Sequence, residues 1–282
     1  ISGSPYLAVA DLDGARKEAR IFLAAPLDRA DLEEHFAAHI GRQDSVVWDK
    51  REQAVLARRQ TRFGALVLEE SKLDTPPAEL VAAAQLQAIA DLGLEALPWS
   101  DAASHLRRRI AFLRRHQPDL WPDLSDAHLL ANLEEWLGPY LSGMSRAAHW
   151  QKLDLAAILR DSLAWEQRQA LDRLAPTHVE VPSGSRIPID YENDEQPVLA
   201  VRLQEMFGLA ETPSLLDGRV PLLLHLLSPA RRPLQVTRDL AGFWSGSYKA
   251  VKADMKGQYP KHYWPDDPMQ AEPTARAKPR GT

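Results

Sequence analysis

The 282-residue sequence contains no cysteine. That removes disulfides, thiolate metal sites and cysteine nucleophiles together, and a reducing, cytoplasmic setting is the expectation that agrees with it. No apolar run approaches the roughly 20 residues a membrane-spanning helix needs; the longest, PLLLHLL from Pro221 to Leu227, is strand-sized and carries a histidine. No Gly-Lys dipeptide occurs anywhere. There is thus no Walker A loop to cradle nucleotide phosphates, and no Rossmann glycine fingerprint opens a helix. ATP hydrolysis by this chain alone is not expected, nor is a cofactor of its own. The opening ISGSPYLAVADLDG has neither an initiator methionine nor a signal peptide's basic start, and reads as cut from something longer.

What is present is a composition that folds. At 45% hydrophobic residues the chain can bury a real core, and its length accommodates two domains. The net charge of −5 is unevenly spread: residues 1–230 hold 24 Lys and Arg against 34 Asp and Glu, whereas residues 231–282 hold 10 against 5. An acidic whole argues against a nucleic-acid coat protein, while a local basic surface is what phosphate contact requires.

Hydrophobic period organises the chain. YLAVADLDG and EARIFLAAP flank a glycine-containing turn, and SVVWDK, AVLARRQ and FGALVLEES follow with the alternation of strands. Between them, DRADLEEHFAAHIG reads as a capped helix reaching Ile40, with Gly41 as its stop. From DTPPAEL onward the period becomes helical, with Asp74 or Thr75 as the N-cap and helices over Leu80–Leu94, Ser100–His116, Ser125–Leu137 and Trp150–Leu174. Trp99, Trp121, Trp136, Trp150 and Trp165 sit among leucines there and read as core anchors. After Pro176 the alternation returns: THVEV and RIPIDY surround the turn PSGS, and PVLAVRLQ, VPLLLHLLS and PLQVT continue it. Thr237 or Asp239 caps a closing helix that includes Gly242–Gly257. The expected class is α+β: two small antiparallel β modules, the first OB-like (1–73), the second with the closing helix (176–264), flank a helical middle (74–175). A proline-rich disordered tail follows (265–282).

Candidate chemistry is sparse. His35 and His39, four apart on one helix, have the spacing of a metal-chelating pair, but without a third ligand they read as helix-border histidines. DLDG at Asp11–Gly14 opens like a calcium loop and lacks its later ligands, so a hairpin turn explains it. Ser183 and Ser185 flank Gly184 without nucleophile-elbow spacing. The remaining signal is basic. Arg231 and Arg232 precede Pro233, Arg238 begins the last helix, Arg186 follows PSGS, and Lys249, Lys252 and Lys256 recur at spacing three and four along one helix face. Phe243, Tyr248, Val251 and Met255 lie on another arc as its packing face. Lys261, Tyr263 and Trp264 lie beyond Pro260 on an extension. These ten, Arg186, Arg231, Arg232, Arg238, Lys249, Lys252, Lys256, Lys261, Tyr263 and Trp264, are the candidate nucleic-acid contacts, cations for phosphates and aromatics for base stacking. A solvated helix face is the plain alternative for the lysines.

PTHVEVPSGSRIPIDY, PVLAVRLQEMFGL, PLLLHLLSPARRPLQVTRDLAGFWSGSY and MKGQYPKHYWPDDP together resemble the C-terminal half of the HrpB-type bacterial ATP-dependent helicases, relatives of the DEAH-box RNA helicases. The resemblance is dense from about Leu153 to Pro268 and touches SPYLAVADLDG and EARIFLAAPLD. It implies a parent with two RecA-like motor lobes, using ATP and Mg²⁺, upstream of Ile1. It also implies an OB-like domain that lines an RNA path or receives partners. DEQP at Asp194–Pro197 shares two letters with the DEAH box and lies between strands, so no motor residue carries over. The expected role is a noncatalytic nucleic-acid-binding accessory region, RNA preferred to DNA. The alternative is a protein-interaction module docking on the motor or another partner through the acidic helical middle. An independent hydrolase or nuclease has no supporting constellation.

Overall fold

Alternation of apolar and polar residues through 40–72 produces a three-stranded antiparallel meander in the first of two compact units. The structure is a computed structural model describing residues 4–13 and 20–278. One unit comprises residues 1–97 and 137–153; the other comprises 98–136 and 154–282. The class is α+β.

In the first unit, β1 (Tyr6–Leu12) and β2 (Ile21–Leu27) form a separate antiparallel hairpin. Its turn, with Gly14, lies outside the described residues. In α1 (Arg29–Phe36), the Asp28 carboxylate accepts from the Asp31 N–H at 3.0 Å while Asp31 accepts from the Asp28 N–H at 2.8 Å, closing a capping box. The helix expected to reach Ile40 stops at Phe36, and Gly41 falls inside β3 (Ile40–Asp49). Strand pairing wins there: Ile40 opens the register opposite Phe63 of β4 (Ala54–Phe63), and the Phe36 ring packs on Phe63 at 5.4 Å. Gly64, at φ +54°, turns β4 into β5 (Leu66–Lys72), a conformation glycine adopts without strain.

Helix α2 (Ala78–Leu92) follows, capped at Pro77 rather than at Asp74 or Thr75. Its buried Gln85 donates to the Met144 carbonyl at 3.0 Å and accepts from the Trp150 indole at 3.0 Å. The Trp150 ring stacks on Trp48 at 4.9 Å. Residues 137–153 thereby belong with the meander, and Val55 N–H donates to the Ser145 carbonyl at 2.8 Å. The stretch read as one helical middle is divided between the units by these contacts.

The second unit begins with α3 (Asp101–His116), whose Ile110, Phe112 and Leu113 are completely buried. The expected Ser125–Leu137 helix is two short ones, α4 (Asp126–Ala131) and α5 (Leu133–Trp136). After α6 (Ala147–Trp150), in the segment of the first unit, come α7 (Leu155–Asp161) and α8 (Trp165–Leu174). Trp121, Trp136 and Trp150 are core residues, but Trp165, at the start of α8, is 63% exposed, and the anchor reading fails for it.

Strands β6 (His178–Glu180), β7 (Arg186–Asp190), β8 (Val198–Arg202), β11 (Leu223–Leu227) and β12 (Pro233–Thr237) form a five-stranded sheet in the order β12-β11-β8-β7-β6. Between β8 and β11 lies a two-residue ladder, β9 (Ser214–Leu215) with β10 (Val220–Pro221). The sheet is mixed rather than antiparallel, because β8 and β11 pair in parallel. Ile189, Leu199, Val201, Leu224 and Leu226 bury its inner face with a period of two.

The expected single closing helix is two, α9 (Leu240–Ser245) and α10 (Tyr248–Gln258), interrupted at Gly246. Asp239 caps α9, accepting from the Gly242 N–H at 2.8 Å. The aromatics of this region knit together: Phe207, Phe243, Trp244 and Tyr248 lie in mutual edge or tilted contact. Residues 265–278, read as disordered from composition, are packed. Tyr263 N–H donates to the Ala277 carbonyl at 2.9 Å, Thr274 N–H to that of Gln204 at 3.0 Å, and Gly208 N–H to that of Pro268 at 2.9 Å. The prolines restrict the segment's unfolded freedom, and the backbone bonds to 204–208 supply what periodicity does not announce.

Candidate nucleic-acid interface

The sheet register of the second unit decides which cations meet. Leu227 of β11 pairs with Arg202 of β8, and Ile189 of β7 pairs with Leu199. Because β7 runs antiparallel to β8, its first residue, Arg186, and the last of β8, Arg202, lie toward the same end. The turn after Leu227 holds Arg231 and Arg232. Arg186, Arg202, Arg231 and Arg232 therefore share one end of the sheet.

The turn presents its two guanidiniums outward. Ser228 N–H donates to the Arg232 carbonyl at 2.8 Å, Arg231 N–H donates back to Ser228 at 2.8 Å, and the Ser228 hydroxyl accepts from the Arg232 N–H at 3.0 Å. Arg231 sits at φ +60°, a left-handed conformation that a non-glycine residue adopts only when its surroundings hold it. Arg186, Arg231 and Arg232 are exposed, and none makes an ion pair among the described residues. Arg202 differs: its guanidinium lies 2.8 Å from the buried carboxylate of Glu205, which also accepts from the Ser183 hydroxyl at 3.0 Å. Ser183 is thus a turn-fixing group.

Arg238 is exposed but stands apart. It follows Thr237, which pairs with Leu224 at the other end of β11, so the length of β12 separates it from the Arg231–Arg232 turn, about 14 Å at 3.4 Å per residue.

The lysine row is broken at its centre. Lys249 and Lys256 are exposed on α10, but the Lys252 ammonium pairs with Asp266 and its side chain is only 17% exposed. The hydrogen bond from Lys252 holds the Asp266 carboxyl below its usual range, and Lys256 adds to the effect. Lys261 is exposed.

The aromatic extension is corrected. Trp264 is 9% exposed, and its indole N–H donates to the Tyr259 carbonyl at 3.0 Å. Tyr263 is half-buried with its ring edge-on to Phe207 at 6.2 Å. Trp264 therefore offers no free face to a base. The Tyr248 phenol donates to the Pro265 carbonyl at 2.9 Å, and burial pushes its pKa up. These rings stitch the chain end to the core.

No group of three or more His, Cys, Asp or Glu able to hold a metal occurs among the described residues. His35 and His39 lose their helical relation because α1 ends between them, and His39 packs edge-on against Phe36 and Phe63. No described helix is long and apolar enough to cross a membrane. Sequence reading missed the arginines of α3, Arg107, Arg108, Arg109, Arg114 and Arg115, although the run RRR and the pair RR were in plain view.

Fold and surface together define an α+β protein with exposed cations, Arg186, Arg231 and Arg232, that make no ion pair among the described residues. Residues 136–268 match the family described as ATP-dependent helicase C-terminal, and residues 39–73 match ATP-dependent RNA helicase HrpB, connector region. Residues 136–268 thus belong to the ATP-dependent helicase C-terminal family, and all ten candidate contacts fall within them. The chain is 43% identical over 265 residues to the ATP-dependent RNA helicase HrpB of Escherichia coli (strain K12), covering 94% of this chain and 33% of that protein. The crystal structure of E. coli DExH-box NTPase HrpB superposes with a TM-score of 0.70 at 42% identity, covering 96% of this chain and 34% of that one. A second, of Escherichia coli DEAH/RHA helicase HrpB, gives 0.61 at 38% identity over 92% and 32%. The chain spans about a third of the length of these relatives.

Proposed function

We propose that this chain is the noncatalytic nucleic-acid-binding accessory region of an HrpB-type ATP-dependent RNA helicase. It guides a strand relative to RecA-like motor domains elsewhere in the parent, which supply ATP and Mg²⁺ chemistry, and it works in the cytoplasm. The observation that carries this reading is the placing of Arg186, Arg231 and Arg232 at one sheet end with no ion pair among the described residues. Exposed guanidiniums with no protein carboxylate are available to backbone phosphates, to which arginine binds in a bidentate fork. Such contacts position a strand and carry no base information. RNA is preferred to DNA because the E. coli relative is an RNA helicase.

Anisotropy titration of the chain with a single-stranded RNA across a range of salt tests this. The triple variant R186Q/R231Q/R232Q is expected to flatten the log–log salt slope by about 2, at roughly 0.7 per phosphate contact on single strands. An unchanged slope in the folded variant refutes the sheet-end surface.

A second reading has its own observation. The β1–β2 hairpin leaves large apolar side chains in solvent, Phe22 59% and Leu23 62% exposed, with Leu12 and Ile21 beside them. A two-stranded hairpin with uncovered apolar residues is marginal by itself. This supports docking of the first unit on the parent's other domains, alongside strand guidance by the second.

A further inference from the structure

Helix α3 carries five arginines, and three are held by the fold. Arg109 is buried and donates to the Ala175 carbonyl and the Asp172 carboxylate, both at 2.6 Å. Arg107 donates to the Leu124 carbonyl at 2.7 Å, pairs with Asp126 at 2.6 Å and lies over the Trp99 ring at 4.6 Å. Arg114 donates to the Trp121 carbonyl at 2.9 Å and faces Asp123 at 3.7 Å.

Arg108 and Arg115 differ. Their ion partners all come from the segment joining β7 to β8: Glu192 lies 2.7 Å from Arg108, Asp194 lies 3.8 Å from Arg115, and Glu195 also pairs with Arg115. Seven residues apart, the two arginines share one helix face about 10 Å apart along the axis. They line a cleft of about 630 Å³ to which Asp194 also contributes.

The acidic segment is anchored at its ends. Tyr191 is buried, its phenol donating to the Pro176 carbonyl at 2.7 Å, and Val198 enters the sheet. The Pro197 carbonyl also accepts from the Leu223 N–H at 3.0 Å, but over residues 192–196 the N–H groups bond locally, Glu192 to the Asp190 carboxylate, Glu195 to the Asn193 side-chain oxygen and Gln196 to the Asn193 carbonyl. Its ion pairs with α3 join exposed side chains, and such pairs contribute little net stability. The segment can therefore leave α3 without unfolding the sheet.

We propose that the α3 face bearing Arg108 and Arg115 is a second phosphate-binding surface for a nucleic-acid strand, occupied in the free chain by Glu192, Asp194 and Glu195 as an internal competitor. A guanidinium accepts carboxylate and phosphate in the same geometry. The tethered segment offers three carboxylates, whereas a strand offers successive phosphates and gains from counterion release. The surface is distinct from the sheet end, and the inference rests on the reading that the chain meets nucleic acid.

The experiment titrates the full chain with a single-stranded RNA oligonucleotide at several salt concentrations. E192Q/D194N/E195Q is expected to bind roughly tenfold tighter at low salt with a slope steeper by about 1.4, two contacts at 0.7 each. Adding R108Q/R115Q removes both gains. In the unaltered chain, saturating RNA raises amide exchange across residues 192–196. Neutralising three exposed carboxylates elsewhere in the unit, E134Q/E135Q/E166Q, controls for bulk charge. Unchanged affinity in the loop variant overturns the proposal, as does a gain that survives R108Q/R115Q or is matched by the control. Repeating the pair of titrations on R186Q/R231Q/R232Q separates the two surfaces: the arginine-dependent gain is read there even if the sheet end contributes nothing.

Discussion

The Trp264 indole N–H donates to the carbonyl of Tyr259 at 3.0 Å, which ties the residues after α10 back onto the end of that helix. This bond orients the ring inward and takes it from the list of base-stacking groups. Trp264→Ala is expected to destabilise the chain by about 3 to 5 kcal/mol, the usual range for deleting a buried large aromatic. Denaturant unfolding checks the loss. RNA affinity measured where the variant is still folded stays within about twofold, whereas a stacked ring would forfeit about 1 to 3 kcal/mol of binding.

Asp266 acts as an internal counter-ion for Lys252. Asp266→Asn is expected to release one lysine to solvent and steepen the single-strand salt slope by about 0.7. An equal or shallower slope would show that Lys252 stays out of reach of a strand.

The same pair has a pH signature. The folded pKa of Asp266 is depressed, so the pair's stabilising contribution is present above the unfolded value, about 3.9, and is lost as pH falls through the folded value. The Tm difference between the unaltered chain and Asp266→Asn is therefore expected to be constant from pH 7 to pH 5 and to vanish in more acidic solution. A difference that grows on acidification contradicts this sign.

Arg238 and the Arg231–Arg232 turn should behave differently, because β12 separates them. R231Q/R232Q is expected to lower the salt slope by about 1.4, and Arg238→Gln to leave it unchanged. Equal effects per charge would mean that bulk basicity, rather than the sheet end, attracts the strand.

Gln85 is completely buried between Met144 and Trp150. Gln85→Ala leaves a buried indole N–H and a carbonyl without partners, and is expected to destabilise the first unit by about 1 to 3 kcal/mol. Amide exchange should rise in residues 78–92 and 137–153 while the second unit keeps its protection. Uniform loosening of both units would show that they unfold as one.

Local signals carried much of the fold. Period-two alternation located β3, β4 and β5 and the strands after Pro176, and α3 runs from Asp101 to His116 almost as its pattern indicated, because propensity and burial agree at those positions. The failures lie where a distant partner outweighs local preference. Ile40 joins Phe63 and ends α1 early, and residues 265–278 are ordered by backbone bonds to 204–208. The ten candidate contacts were legible as charge and aromaticity, since those are properties of residues. Whether a cation was free was not, because a counter-ion such as Asp266 for Lys252 is supplied by tertiary packing. The α+β class, the basic C-terminal bias and the family were legible without coordinates, because all depend on residue type and order. That Arg186 shares a sheet end with the Arg231–Arg232 turn, that Trp264 is buried and that Arg108 and Arg115 face an acidic loop came from tertiary packing, since each depends on strand direction or on burial between segments far apart in the chain.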